Sequence, residues 1–71
     1  MVKEITLIIL LFNGELKLPS VPFEGTVMEC LDYGDKLRLE LSTHKWVEED
    51  IMKSGWYMND GSGTWQGYIC R

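Results

Sequence analysis

Residues 5–12, ITLIILLF, followed directly by Asn13-Gly14, decide the fold. Seven of these eight residues are apolar, and three are isoleucine. A run that is this short, rich in β-branched side chains and ended by a turn dipeptide predicts a strand buried on both faces. Asn-Gly predicts a type I′ hairpin turn, because both residues tolerate positive φ. The rest of the chain must therefore supply a cover for each face of the strand.

The residues that follow predict the return strand of this hairpin and a stiff connection. Residues 15–18, ELKL, alternate between polar and apolar, so both leucines lie on one face. Pro19 ends the segment, and because proline donates no backbone hydrogen bond we expect a short strand at an edge of the sheet. Pro19 and Pro22 then make residues 19–22 a rigid, extended connection.

Residues 26–41 predict a second hairpin, with an outgoing strand over 26–32, a turn at 33–35 and a returning strand over 36–41. The returning half, KLRLEL, is the cleanest period-two pattern in the chain, with leucines on one face and charged residues on the other. The outgoing half alternates less regularly, which is typical of a strand in a curved sheet or of one with a β-bulge.

A short helix is expected after this hairpin. Ser42 or Thr43 can cap a helix over residues 44–54, and Gly55 can end it. Lysine and glutamate at four-residue spacing within the segment favour this helix. The alternative is a strand at residues 45–47 followed by a single helical turn.

Residues 56–59 and 64–70 predict a third hairpin around the loop 60–63, DGSG, which consists of common turn formers. Three hairpins and one short helix predict an α+β chain that is mainly β. We expect either a small, strongly bent antiparallel sheet or an SH3-like barrel, with the helix covering an open side. The 71 residues fit one such domain, spanning 1–71, and the lack of alanine favours strands over a helical bundle.

Composition narrows the class of partner and the location. Seven Lys and Arg against eleven Asp and Glu give a net charge of −4, which argues against a nucleic-acid backbone as the partner. The apolar run at 5–12 is too short to span a membrane, and Glu4 is unlike a signal peptide. The predicted location is cytoplasmic, with Cys30 and Cys70 as buried free thiols. A single bridge between them is the alternative if their strands are neighbours.

The sequence predicts no enzyme, no metal site and no cofactor. Residues 60–64, DGSGT, look like the middle of an EF-hand loop, but the loop's first and last ligand positions would be Met58 and Ile69, where calcium needs oxygen. His44 and Glu48 are spaced as a helical chelating pair, but no further ligands can be placed. The histidine could also act as the base for a cysteine nucleophile, although the spacing does not support this.

Aromatic residues are concentrated in the last third of the chain. Strand alternation predicts that Tyr57 lies opposite Trp56 and that Trp65 lies opposite Tyr68, so at least one ring should be exposed. Exposed Trp and Tyr are enriched in protein-binding hot spots. We therefore predict a binding surface made of aromatic and acidic side chains, namely Tyr57, Trp65, Tyr68, Glu48 and Glu49.

This surface predicts a non-catalytic protein-binding module, such as a small regulator or inhibitor that occupies a partner's surface. The expected partner is another protein. Self-association is open as well, since the edge segment 16–18 and the aromatic face could pair two copies as a symmetric dimer. The alternative function is binding of single-stranded nucleic acid or carbohydrate by the C-terminal aromatic hairpin, helped by Lys36 and Arg38 on one strand face.

Residues 55–68, GWYMNDGSGTWQGY, resemble one aromatic hairpin repeat of the choline-binding cell-wall proteins. Those proteins are exported and carry such repeats in tandem, whereas this chain shows one copy. The resemblance implies a shared turn chemistry rather than membership of the family. The hairpin predicted at 26–41 is similar, in the same general way, to the hairpins of SH3-like barrels.

Overall fold

The computed structural model describes residues 1–49 and 54–71. These residues form one helix and six strands: β1 Val2–Leu11, β2 Leu16–Lys17, β3 Ser20–Gly25, α1 Val27–Leu41, β4 Ser42–Lys45, β5 Gly55–Met58 and β6 Gly63–Cys70. The strands make a single antiparallel sheet in the order β2–β1–β6–β5–β4, with β3 also paired to β1. Within the described residues the sheet stays open, so the predicted α+β, mainly β fold is confirmed as a sheet rather than a barrel.

The first predicted hairpin is confirmed. β1 pairs with β6 on one side and with β2 and β3 on the other. The pairs Leu10–Leu16 and Thr6–Ser20 belong to one register, so β2 and β3 are two parts of a single return strand. Pro19 separates the two parts, although its carbonyl still accepts a hydrogen bond from the backbone N–H of Leu7 at 2.8 Å.

The turn of this hairpin is not the predicted type I′. The backbone N–H of Leu11 donates to the carbonyl of Glu15 at 2.8 Å, which leaves a loop of three residues. Such a loop needs only one left-handed residue, and this is Gly14, with φ at 89°. Asn13 contributes through its side chain instead, because its Oδ1 accepts a hydrogen bond from the backbone N–H of Glu15 at 3.0 Å.

Residues 26–41 form a capped helix where the sequence analysis predicted a hairpin. Thr26 is the N-cap, and its Oγ1 accepts a hydrogen bond from the backbone N–H of Glu29 at 3.2 Å. Glu29 Oε1 in turn accepts from the backbone N–H of Thr26 at 3.0 Å, which completes a capping box. Hydrogen bonding of the Glu29 carboxyl to the backbone N–H of Thr26, and then to the Thr26 side chain, lowers the pKa of that carboxyl.

The alternating leucines of residues 36–41 explain why the prediction was wrong. Leu37 is buried, whereas Leu39 is 63% exposed, so the two do not share a face. Cys30, Gly34 and Leu37 are the buried residues of α1, and their spacing of four and three is that of one helix face. The period-two pattern therefore arises from a solvent-facing leucine that follows a buried one.

The helix predicted over 44–54 does not form in the described part of that range. His44 and Lys45 end β4, which pairs with β5, and residues 46–49 form no regular element. Residues 50–53 lie outside the described residues. The chain is extended here because Ser42 ends α1, where both its backbone N–H and its Oγ donate to the carbonyl of Arg38. The third predicted hairpin, β5–β6, is confirmed.

One face of the sheet packs against α1. The buried apolar residues of this core are Val2, Ile5, Leu7, Ile9, Cys30, Leu37 and Trp65. Cys30 on α1 and Cys70 on β6 form a disulfide, with their Cα atoms 6.2 Å apart. The prediction of free thiols is wrong because Cys30 lies on a helix above the sheet, where its side chain meets that of Cys70.

The helix and sheet approach closely at Gly34. A Cβ atom at this position would overlap two carbons of the Tyr68 ring. Tyr68 is also held to α1 by its hydroxyl, which donates to the carbonyl of Leu31 at 2.9 Å. Gly34 therefore allows the aromatic ring to lie directly against the helix backbone.

No helix among the described residues is long and apolar enough to cross a membrane.

We predict that loss of the disulfide strongly destabilises the fold. The bond joins residues 40 apart in sequence, for which the chain-entropy model gives about 4 kcal/mol of stabilisation. The double variant Cys30→Ser, Cys70→Ser should unfold at a lower urea concentration than the wild type, as followed by tryptophan fluorescence. Fully reduced wild type is the matched control and should resemble the variant. Equal urea midpoints for oxidised and reduced protein would contradict the prediction.

A methyl group at Gly34 is predicted to overpack the helix–sheet contact. Gly34→Ala should lower the free energy of unfolding by about 1–3 kcal/mol, although alanine is the better helix former. The control is the same substitution in a Tyr68→Leu background, where the ring is absent and alanine should cost little. Urea denaturation of the four proteins measures the difference, and an equal loss in both backgrounds would argue against the contact.

Candidate functional site

The sheet has one face covered by α1 and one open face. Ile5, Leu7 and Ile9 of β1 point into the core beneath α1. Successive residues of a strand point to opposite faces, so Thr6, Ile8 and Leu10 point away from the helix. No helix or strand among the described residues lies over that second face. The structure therefore supplies one of the two covers that the sequence of β1 predicts.

Cross-strand pairs arrange the open face in rows, because residues directly opposite each other in an antiparallel ladder share a face. The row nearest the first turn contains Tyr57, Thr64, Leu10 and Leu16. The next row contains Ile8 and, by continuation of the same register, Leu18. The row beyond it contains Ile69, Thr6 and Ser20.

Large apolar side chains of this face are exposed to solvent. They are Phe12 at 65%, Leu16 at 62%, Leu18 at 55%, Ile69 at 39% and Leu10 at 37%. Phe12 continues the face past the end of β1, with its ring centroid 6.2 Å from that of Tyr57. We call these five residues the open-face patch. They expose on the order of 500 Å² of apolar surface, a size that often marks a functional surface on a monomer.

Neutral polar groups lie between the apolar side chains of the patch. The hydroxyls of Thr6 and Ser20 share a hydrogen bond of 2.9 Å. Gln66 Nε2 donates to Thr64 Oγ1 at 2.8 Å. Towards the β4 edge, Lys45 Nζ lies 5.3 Å from the centroid of the Tyr57 ring. The side chains of the central rows are thus apolar or uncharged, and the charged Lys45 lies at their border.

The aromatic residues predicted to form a binding surface are divided between the two faces. Tyr57 lies on the open face, opposite Trp56, as strand alternation predicts. Trp65 is only 8% exposed and belongs to the core, against which Tyr68 also packs. Glu48 and Glu49 are exposed in the irregular segment after β4. The three aromatic residues therefore do not form one surface.

A β-bulge in β6 explains why Trp65 and Tyr68 share a face. Trp65 pairs with Ile9 and Gly67 pairs with Ile8, so Gln66 is an extra residue on β6. Alternation resumes after the bulge, and the ring centroids of Trp65 and Tyr68 come within 6.4 Å. The prediction that they lie on opposite faces is wrong for this reason. Gly67 was the available signal, because glycine inside a strand often marks a bulge.

A second cluster at the β4–β5 edge combines cations with aromatic rings. The guanidinium carbon of Arg38 lies 4.8 Å from the centroid of the Trp56 ring. The His44 ring meets the same indole edge-on, with the centroids 5.2 Å apart. Trp46, just beyond β4, is exposed. The sequence analysis predicted Lys36 and Arg38 on one strand face, but both residues lie on α1.

The remaining chemical candidates have structural roles. Asp60 Oδ1 accepts hydrogen bonds from the Oγ and backbone N–H of Ser62, which lower the pKa of the Asp60 carboxyl and close the hairpin loop. His44 lies on a strand, so its spacing to Glu48 is not helical. Both cysteine sulfurs are bonded to each other. Among residues 1–49 and 54–71, no group of three His, Cys, Asp or Glu residues could hold a metal ion.

The chain was compared with protein-family models, with curated proteins and with solved structures, and none of them matches it.

Tyr68 is predicted to make the stability depend on alkaline pH. Burial, and then the hydrogen bond and charge of Asp35, raise the pKa of the Tyr68 phenol above its usual value of 10.0. The folded chain thus keeps a proton that the unfolded chain releases near pH 10. The stability contributed by Tyr68 is complete below that pH and is lost as the pH rises through the raised pKa.

The measurement is the free energy of unfolding between about pH 9 and about pH 11. Tyr68→Phe removes the titrating group and should lose less stability across this range than the wild type. Tyr57→Phe is the matched control, because it removes a phenol from the open face and leaves the contact of Tyr68 with α1 in place. Identical pH profiles for the Tyr68 variant and the wild type would refute the prediction.

Proposed function

We propose that this chain is a non-catalytic protein-binding module that uses its open sheet face to bind a partner protein. The observation that supports the proposal is the open-face patch. Its five apolar residues lie on the open face of a sheet whose other face forms the core, and they come from β1, the first turn, the return strand and β6. Scattered exposed apolar residues are common on protein surfaces, whereas a grouped patch of this size often marks a functional surface.

The patch is large enough to make a substantial contribution to binding. Burial of about 500 Å² of apolar surface gives an upper bound of about 12 kcal/mol at 25 cal/mol per Å², because interface area does not convert to affinity at the full transfer value. Association costs about 4–15 kcal/mol in lost freedom and ordering. The two quantities are comparable, so contacts at the rim of the patch must contribute as well. Of the predicted binding residues, Tyr57 belongs to this interface, while Trp65 and Tyr68 support it from the core side.

Such a face acts by occupying the surface of its partner, as a small regulator or inhibitor does. Its groups are aliphatic and aromatic side chains, hydroxyls and one amide, which supply contact area and hydrogen bonds. The role of Glu48 and Glu49 as acidic contacts to the partner stays a prediction. Their exposure is compatible with that role.

The second candidate function is binding of single-stranded nucleic acid or carbohydrate at the β4–β5 edge. It is favoured by the pairing of Arg38 and His44 with Trp56 and by the exposed ring of Trp46. Bases and sugars both stack on aromatic rings, and cations next to the rings attract phosphate. A titration with short oligonucleotides and oligosaccharides at low salt, followed by tryptophan fluorescence, separates the two functions. Saturable quenching favours the second.

The compartment is part of the same proposal. The cytoplasmic location predicted from the sequence depended partly on reduced thiols, whereas the structure has the Cys30–Cys70 bond. Structural disulfides form and persist in oxidising environments. We therefore expect the chain to work outside the reducing cytosol, and alkylation of thiols in intact cells tests this. Two free thiols per chain would favour the cytoplasm.

Binding is predicted to depend on the open-face patch and not on the exposed apolar residues of α1. The double variant Phe12→Ser, Leu16→Ser should weaken capture of a stoichiometric partner from the source cells by at least about tenfold. The matched control is Met28→Ser, Leu39→Ser, which removes equally exposed apolar side chains from the outer side of α1. Quantitative mass spectrometry of the captured proteins is the measurement. Equal capture by the open-face variant and the wild type would refute the proposal.

A further inference from the structure

We infer that the partner of the open face is a second copy of this chain, which packs sheet against sheet about a two-fold axis. The inference rests on the proposed function, because it names the protein that the open face binds. It differs from the dimer expected from sequence, in which the edge segment 16–18 contributes to the pairing. Here the leucines of that segment meet the partner with their side chains, as members of the open-face patch.

The first argument is that β1 needs two covers. Its residues are apolar on both faces, and α1 covers only the face that carries Ile5, Leu7 and Ile9. A two-fold dimer supplies the second cover, because each copy places its own Ile8 and Leu10 against those of the other copy. The strand would then be buried on both faces, as its sequence predicts.

The second argument is charge. The chain carries a net charge of −4, so two copies repel each other at most orientations. The open-face patch and its row neighbours Thr6, Thr64 and Gln66 are uncharged, so the centre of this face meets its own copy without a like-charge contact, while Lys45 lies at the border beside Tyr57. A specific acidic or basic partner would instead be matched by opposite charges across the interface. A neutral face on a charged chain thus fits self-association.

The third argument is shape. Sheets pack face to face at about 10 Å, with strand directions within about 30° of each other, because each sheet has the same right-handed twist. Two copies of this sheet have the same twist, because they are the same structure, and can therefore pack in this way. The Leu10–Leu16 and Ile8–Leu18 rows form ridges that can interdigitate with the same ridges of the copy. The product has four layers, with a helix outside each sheet.

The fourth argument is area. The open-face patch supplies on the order of 500 Å² per copy, and the neutral polar side chains between its members extend the face. A standard interface buries roughly 800 Å² per partner, so the open-face patch supplies more than half of that area. The outer side of α1 is a poorer candidate, because the exposed Met28 and Leu39 are accompanied there by the charged side chains of Asp32 and Asp35.

The test is sedimentation equilibrium of the purified, oxidised chain over a concentration series. We expect a species of twice the 8.2 kDa chain mass. Its dissociation constant should not rise with added salt, because its centre carries no ion pairs and salt screens the repulsion between the two acidic chains. Leu16→Glu should raise the dissociation constant at least about 100-fold, because it buries two like charges at the interface. Phe12→Glu is the second variant, and Leu39→Glu on α1 is the matched control that should remain dimeric.

Near-UV circular dichroism verifies the fold of each variant, and Phe12→Glu decides the test if Leu16→Glu does not fold. A wild-type monomer up to about 200 µM would overturn the inference. So would a dimer that neither open-face variant dissociates. Capture of a different protein that is lost with Phe12→Ser, Leu16→Ser would sustain the proposed function when the chain is monomeric. A monomer that captures nothing through this face would overturn both.

Discussion

The packing of α1 against one face of β1 and β6 is the contact on which the rest of the structure depends. It buries Ile5 and Cys30 completely and is closed covalently by the Cys30–Cys70 bond. Because Gly34 carries no side chain, the Tyr68 ring lies directly on the helix backbone. A chain of 71 residues buries only a small apolar core. The disulfide therefore stabilises the helix–sheet contact where apolar burial alone is modest.

This contact also determines where binding can occur. A single helix can cover one face of a sheet, and the side chains that face it are removed from any partner. The rings of Trp65 and Tyr68 are used in this way, although aromatic residues of this kind are common in binding sites. What is left for a partner is the opposite face, where Phe12, Leu16 and Leu18 are exposed. The candidate site is thus the open-face patch, which α1 does not cover.

Much of the β structure could be predicted from the sequence, whereas the helix could not be placed. Residues 26–41 contain two periodic signals, the alternating leucines and the four-and-three spacing of Cys30, Gly34 and Leu37. The second signal corresponds to the face that contacts the sheet, and periodicity alone does not distinguish the two. The capping box of Thr26 and Glu29 was a local signal for the helix. The bulge at Gln66 reversed the expected faces of the last strand, and it depends on pairing with β1.

The sequence by itself determined the central strand, its hairpin, the last hairpin and the mainly β character of the fold, because these depend on local periodicity and turn chemistry. Tertiary structure alone decided which face of β1 is covered, which cysteines meet and which aromatic rings are buried. These outcomes depend on contacts between residues far apart in the chain. Periodicity identifies an apolar face, but it does not tell which other segment, in this chain or in another, will cover that face.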